Sequence, residues 1–69
     1  MSDAALVRMA NQIAANFSAL PDDEAAAETA DHISRFWEPR MRQALIGLLS
    51  AEAGFGLSPV ARAAAARLT

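Results

Sequence analysis

Histidine is the side chain that ordinarily exchanges a proton near neutral pH, and the sequence contains one, His32. Glu28 lies four residues before it and Phe36 four residues after it, a spacing that places all three on one side of a helix. A surface pair between Glu28 and His32 is the simplest interpretation. A histidine that hydrogen-bonds a partner protein and a catalytic base are the two others. Because the sequence has no Cys, Tyr or Lys, most nucleophiles and bases are missing, and we predict a chain that is not itself catalytic.

The remaining polar clusters do not predict a metal or cofactor site. The acidic run at residues 22–24 lacks the twelve-residue spacing and the glycine of a calcium loop, and helix caps are its simpler interpretation. A single His and no Cys argue against a structural zinc site. Gly54 and Gly56 lack the third glycine and the preceding strand of a dinucleotide loop. We therefore expect this chain to bind no cofactor and no metal.

The most informative segment is residues 36–42, FWEPRMR, which combines two aromatic residues, a proline, a methionine and two arginines. One interpretation is structural: Phe36, Trp37 and Met41 fill the core between two helices. The other is functional, because Trp, Arg and Met are enriched where proteins bury surface against each other. The two are compatible, since so small a core can be shared with a partner. The residues that we predict at a partner interface are Trp37, Arg40 and Arg42, with His32, Arg8 and Asn11 as lesser candidates.

Two helices are predicted before this segment. The first begins with Ser2 or Asp3 as its N-cap and ends at Leu20, because Pro21 disfavours helical geometry in the residue before it. The second begins within the acidic run, with Asp22 or Asp23 as the cap, and reaches about Trp37. On this helix an ion pair is expected between two residues four apart, Asp31 and Arg35.

Two more helices are predicted after it. Pro39 suits the first position of the third helix, which is expected to close near Ala53, with Gly54 ending it in the left-handed conformation. Ser58 and Pro59 give the fourth helix its N-cap and first residue. The sequence thus predicts an all-α fold, one small domain over residues 1–69 with three to four short helices.

Composition limits the classes of protein that fit this fold. The chain has 69 residues and a net charge of −2, without the basic footprint of a nucleic-acid binder. Its longest uncharged stretch is 13 residues, residues 9–21, short of the roughly 20 that a membrane helix needs. No Cys is present for disulfides, and Met1, Ser2 and Asp3 lack the positive charge of a secretory signal. We expect a cytoplasmic protein that contacts neither membrane nor nucleic acid.

Three segments, in order and covering most of the chain, carry a family resemblance. They are LVRMANQIA at residues 6–14 followed by Phe17, ADHI at residues 30–33 continuing into FWEPRMR, and GLSP at residues 56–59. With these segments the chain resembles the delta subunits of cytoplasmic, NAD-dependent, molybdenum-containing formate dehydrogenases.

The resemblance implies a small accessory subunit of a complex that oxidises formate to carbon dioxide and reduces NAD. In that family the chemistry lies on larger subunits, which carry a molybdenum bis-guanine-dinucleotide cofactor, iron–sulfur clusters and FMN. The implied partners are the large molybdenum-containing catalytic subunit and the rest of the complex, and the implied role is assembly or stability.

Two alternatives remain open from the sequence. One is a transient maturation chaperone for the catalytic subunit or its molybdenum cofactor, which needs the same exposed groups as a stable subunit. The other is a free-standing helical regulator that forms homodimers through alanine-rich helix faces; Ala occupies 18 of the 69 positions.

Overall fold

The computed structural model describes residues 2–69 and contains four α-helices; Met1, part of the predicted domain 1–69, lies outside the described residues. The helices are α1 (Asp3–Asn16), α2 (Asp22–Phe36), α3 (Pro39–Gly47) and α4 (Pro59–Arg67). Two 3₁₀ turns, Leu48–Ser50 and Glu52–Gly56, lie between α3 and α4. Residues 2–69 contain no strand, and the predicted all-α fold is confirmed.

Three of the four helix starts are as predicted. The Ser2 hydroxyl accepts a hydrogen bond from the backbone N–H of Ala5 at 3.1 Å, and the Ser58 hydroxyl accepts one from Ala61 at 3.2 Å. These bonds pair backbone donors that the first turn of a helix otherwise leaves unsatisfied. Prolines stand at the start of α3 and α4, where the missing N–H has no cost.

The connection between α1 and α2 differs from the prediction. α1 ends at Asn16 instead of Leu20, and the chain turns back through short bonds such as Leu20 N–H to the Phe17 carbonyl at 3.0 Å. The N-cap of α2 is Pro21, with no capping side chain, so neither Asp22 nor Asp23 occupies that position. The acidic first turn of α2 still suits the positive end of the helix dipole.

The end of α3 also differs. This helix stops at Gly47, six residues before Ala53, and the following residues form the two 3₁₀ turns. The expected left-handed Gly54 is wrong, because no glycine of residues 2–69 has a positive φ. Glycine is required at position 54 for a different reason: a Cβ there would collide with the carbonyl oxygen of Leu48 and lie 2.8 Å from its carbonyl carbon.

Packing in one half of the molecule joins α2 to α4 through small side chains. The residues that are buried along this seam are Ala25, Ala26, Thr29, Ala30, Ala61, Ala64 and Ala65. Alanine lets two backbones approach closely because its side chain ends at Cβ. The alanine-rich faces that could have paired two copies of the chain are therefore covered within one chain.

Larger side chains complete the core, in one cluster with Ala61 and Ala65 of α4. Leu6 of α1, Ile33 of α2 and Leu45 of α3 are essentially inaccessible to solvent, and Trp37 joins their cluster with 7% of its surface exposed. Met41 is half-buried against the same cluster. No helix within residues 2–69 is both long and apolar enough to cross a membrane.

Candidate functional site

The α2–α3 corner, which we define as residues 34–42, is held together by Arg42. One of its guanidinium nitrogens, Nη1, donates to the backbone carbonyl of Trp37 at 2.8 Å and to that of Ser34 at 3.3 Å. Both carbonyls lie at the end of α2, where backbone acceptors lack partners within the helix. The positive charge of Arg42 also suits the negative end of the α2 dipole. Arg42 thus fixes the angle at which α3 leaves α2.

Trp37 lies inside this corner. Its backbone N–H donates to the carbonyl of Ile33 at 2.9 Å, which ends α2, and its indole is buried. The core interpretation of Trp37 is confirmed. Its predicted contact with a partner stays a prediction, and little of the indole is free to make one.

Phe36, by contrast, lies outside the core. Its ring is 70% exposed and packs on the half-buried ring of His32, with centroids 4.8 Å apart and planes inclined by 44°. The core interpretation of Phe36 is wrong. The expected surface pair is also wrong, because within residues 2–69 no ion pair joins Glu28 to His32. His32 contacts the aromatic ring one turn after it instead of the carboxylate one turn before it.

Phe36 nevertheless continues the buried face of α2. Ala25, Thr29 and Phe36 recur at helical spacing, and His32 lies between the last two on the same side. Ala25 and Thr29 are 1% and 0% exposed, His32 is half-buried, and Phe36 is mostly exposed. At the last turn the helix is therefore still covered at Ile33 but open along the edge that carries His32 and Phe36, and the largest side chain of that edge lies where the cover is missing.

The corner also carries positive charge that no carboxylate neutralises. Arg40 is exposed, and Arg42 bonds to uncharged carbonyls. The one ion pair within residues 2–69 is the predicted pair of Asp31 and Arg35, at 3.7 Å. Arg40 and Arg42 thus lie in the same corner as Phe36 and form no ion pair within residues 2–69, and Glu38 is the one acidic residue of the corner.

The other predicted interface residues lie on a different side of α1. Arg8 is exposed at the edge of a shallow, mainly apolar groove that it lines with Ala4, Val7, Asn11, Ala53 and Gly56. Asn11 is engaged within the chain: its side-chain amide donates to the carbonyl of Gly56 at 2.9 Å, and its side-chain oxygen accepts from Ser58 N–H at 2.8 Å. His32 and Trp37 line a second groove, with Met9 and Ile13 of α1. The six candidates therefore form two groups, one at each side of α1.

Sequence reasoning missed two residues. Phe55, between two glycines in the second 3₁₀ turn, is 82% exposed. Arg62 donates to the carbonyls of Gly54 at 2.6 Å and Leu49 at 3.3 Å, and so holds the two 3₁₀ turns against α4. The sequence carries a signal for Phe55 alone, since a large ring flanked by glycines in a turn has few neighbours to cover it.

Several of the polar side chains of residues 2–69 are engaged in contacts within the chain. Within residues 2–69, no three His, Asp or Glu side chains are close enough to hold a metal ion. Most of the longer polar side chains that are at least partly buried bond to backbone groups of the chain itself, as Asn11, Thr29, Arg42 and Arg62 do. The features left for contact with another molecule include the exposed ring of Phe36 and the exposed Arg40.

Comparison with known proteins gives the family. The family model for the NADH-dependent formate dehydrogenase delta subunit, FdsD, matches residues 5–65. The chain belongs to this family. The match includes all of the α2–α3 corner and both grooves beside α1, apart from Ala4. No curated protein and no solved structure has significant similarity to this delta-family chain.

Proposed function

We propose that this delta-family chain is a non-catalytic, cytoplasmic subunit that packs on the large molybdenum-containing subunit of formate dehydrogenase and supports assembly or stability of the complex. The observation that carries the proposal is that the partly buried polar side chains bond within the chain while a large aromatic side chain is left exposed. Most of its partly buried polar groups are used on its own backbone, whereas the ring of Phe36 faces solvent. Exposed aromatic rings beside arginines are typical of protein contacts.

The donor groups of the chain do not fit an iron–sulfur cluster, one of the cofactors that the family resemblance implies. Iron–sulfur clusters are held by thiolates, and the sequence has no Cys. The described residues bring no three His, Asp or Glu side chains together for a metal. We assign the molybdenum cofactor, the iron–sulfur clusters, FMN and the NAD site to other subunits, and derive no step of the reaction through this chain.

The experiment is recovery of the complex from the native cytoplasm through a tag on this chain. Bound proteins are identified by mass spectrometry, their ratios are measured by densitometry, and the molybdenum content of the large subunit is determined. The proposal predicts stoichiometric recovery of a molybdenum-loaded large subunit together with the iron–sulfur and flavin subunits.

Two other results would contradict the proposal. Recovery of only a molybdenum-free large subunit, in less than stoichiometric amount, would show a transient maturation chaperone. Recovery of no formate dehydrogenase subunit would remove the partner assignment. The amount of intact complex is also measured in a strain that lacks the chain. A role in stability predicts less intact complex in that strain at equal expression of the large subunit.

A further inference from the structure

We infer that the delta-family chain docks through the α2–α3 corner, with Phe36 as the anchor, into an apolar recess of the large subunit that is bordered by carboxylates. The inference rests on the proposed function and names the surface and the chemistry of its partner.

The first step of the argument is the unfinished packing of α2. One face of this helix is covered at Ala25 and Thr29, half-covered at His32 and open at Phe36. A ring that is 70% exposed on an otherwise buried face lacks the packing that the rest of the face has, and an apolar recess on a partner would supply it. The ring is already oriented by its contact with His32 at 4.8 Å, so little side-chain freedom is lost on docking.

The second step is charge. Arg40 is exposed, Arg42 bonds to neutral carbonyls, and neither forms an ion pair with an acid of residues 2–69. Outside the corner, residues 34–42, the chain has seven acids and three arginines. Inside it are one acid, Glu38, and three arginines, of which Arg35 pairs with Asp31. The surface around Phe36 therefore has the sign opposite to the rest of the chain. A negatively charged surface on the partner would therefore bind the corner in preference to the rest of the chain.

The third step excludes a second copy as the occupant. A two-fold dimer brings the same patch of both chains together. Such a dimer centred on Phe36 would place Arg40 and Arg42 of one copy beside those of the other, and like charges across an interface oppose association. The alanine-rich faces, the other possible dimer surface, are covered between α2 and α4. A partner with carboxylates around an apolar recess would bury the ring of Phe36 and pair with the arginines.

The test uses the full chain, purified with the large subunit from the same host, and measures binding of three variants. Phe36→Ala should weaken binding about tenfold or more, as loss of a central aromatic anchor does. Arg40→Glu should weaken it several-fold and reduce its dependence on salt concentration. Phe55→Ala removes an equally exposed ring elsewhere and should bind as the unmodified chain does.

Controls separate docking from folding. Position 36 is exposed and alanine favours helix, so Phe36→Ala should retain its circular dichroism and the fluorescence of Trp37. Arg67→Glu reverses an exposed arginine at the far end of α4 and should leave binding to the large subunit unchanged.

The outcomes distinguish this inference from the proposed function. If the unmodified chain does not bind the large subunit, the proposed function fails. If it binds and Phe36→Ala binds equally well, or if only Phe55→Ala loses binding, the α2–α3 corner is not the docking surface. Sedimentation of the isolated chain tests whether a second copy covers Phe36. A dimer that dissociates on Phe36→Ala would overturn the assignment of the large subunit as the partner at this surface.

Discussion

Replacement of Asn11 by Ala should destabilise the fold far more than its place on a solvent-facing helix suggests. The side chain joins α1 to the chain just before α4, donating to the Gly56 carbonyl at 2.9 Å and accepting from the Ser58 N–H at 2.8 Å. The two bonded groups lie 45 and 47 residues away in sequence, so the contact holds together distant parts of the fold.

The expected loss follows from those two bonds. Each contributes about 1 kcal/mol net, and leaving the partly buried Ser58 N–H without an acceptor adds a desolvation cost, giving about 2–3 kcal/mol in total. A 69-residue domain has an unfolding free energy of only about 3–10 kcal/mol. With a urea slope of about 1 kcal/mol per molar for so small a protein, the midpoint should fall by about 2–3 M.

Urea unfolding, followed by the fluorescence of Trp37 and by circular dichroism, measures this shift. Trp37 is the one tryptophan and is buried, so its emission reports loss of the core. Asn16→Ala, an exposed asparagine on the last turn of the same helix, is the matched control and should move the midpoint little. Equal midpoints for the two variants would refute the structural role of Asn11 and leave its side chain free for the predicted partner contact.

Two further pairs of substitutions test how the fold positions the α2–α3 corner and the 3₁₀ turns. Gly54→Ala should destabilise the chain by more than about 2 kcal/mol, because the added Cβ would collide with the backbone of Leu48. Gly47→Ala places its Cβ in open space at the end of α3 and should stabilise the chain by about 0.5–1 kcal/mol. Thermal melting measures both changes, and a Gly54→Ala variant as stable as the unmodified chain would contradict the close approach. Arg42→Ala removes two bonds to the end of α2 and should cost about 1–2 kcal/mol, while Arg40→Ala should leave stability within about 0.5 kcal/mol of the unmodified chain. Equal losses in these two variants would show that Arg42 does not support the corner.

Features that depend on neighbours in sequence were the ones that sequence analysis predicted well. Ser58 followed by Pro59 marks a helix start because one residue supplies the cap and the next suits the first turn. The pairing of Asp31 with Arg35 likewise depends on helical spacing alone. These local rules are sufficient to predict the all-α fold and most of the helix starts.

Features that depend on distant parts of the chain were not predictable in this way. The two groups that Asn11 bonds are far along the chain, and no local pattern marks them. Gly54 is required by its approach to Leu48, which exists only after the 3₁₀ turns have formed. Phe36 was assigned to the core and is exposed, because whether the last turn of α2 is covered on that side depends on where the other helices end.

The alanine seam between α2 and α4 has a consequence for how the corner is presented. An alanine has no rotamers to lose on burial, so this contact forms without a side-chain entropy cost. Side-chain rearrangement therefore contributes little freedom to this seam. α2 is held by α4 on one side and by the burial of Ile33 in its last turn, so Phe36, on the open side of that turn, is presented from a fixed base.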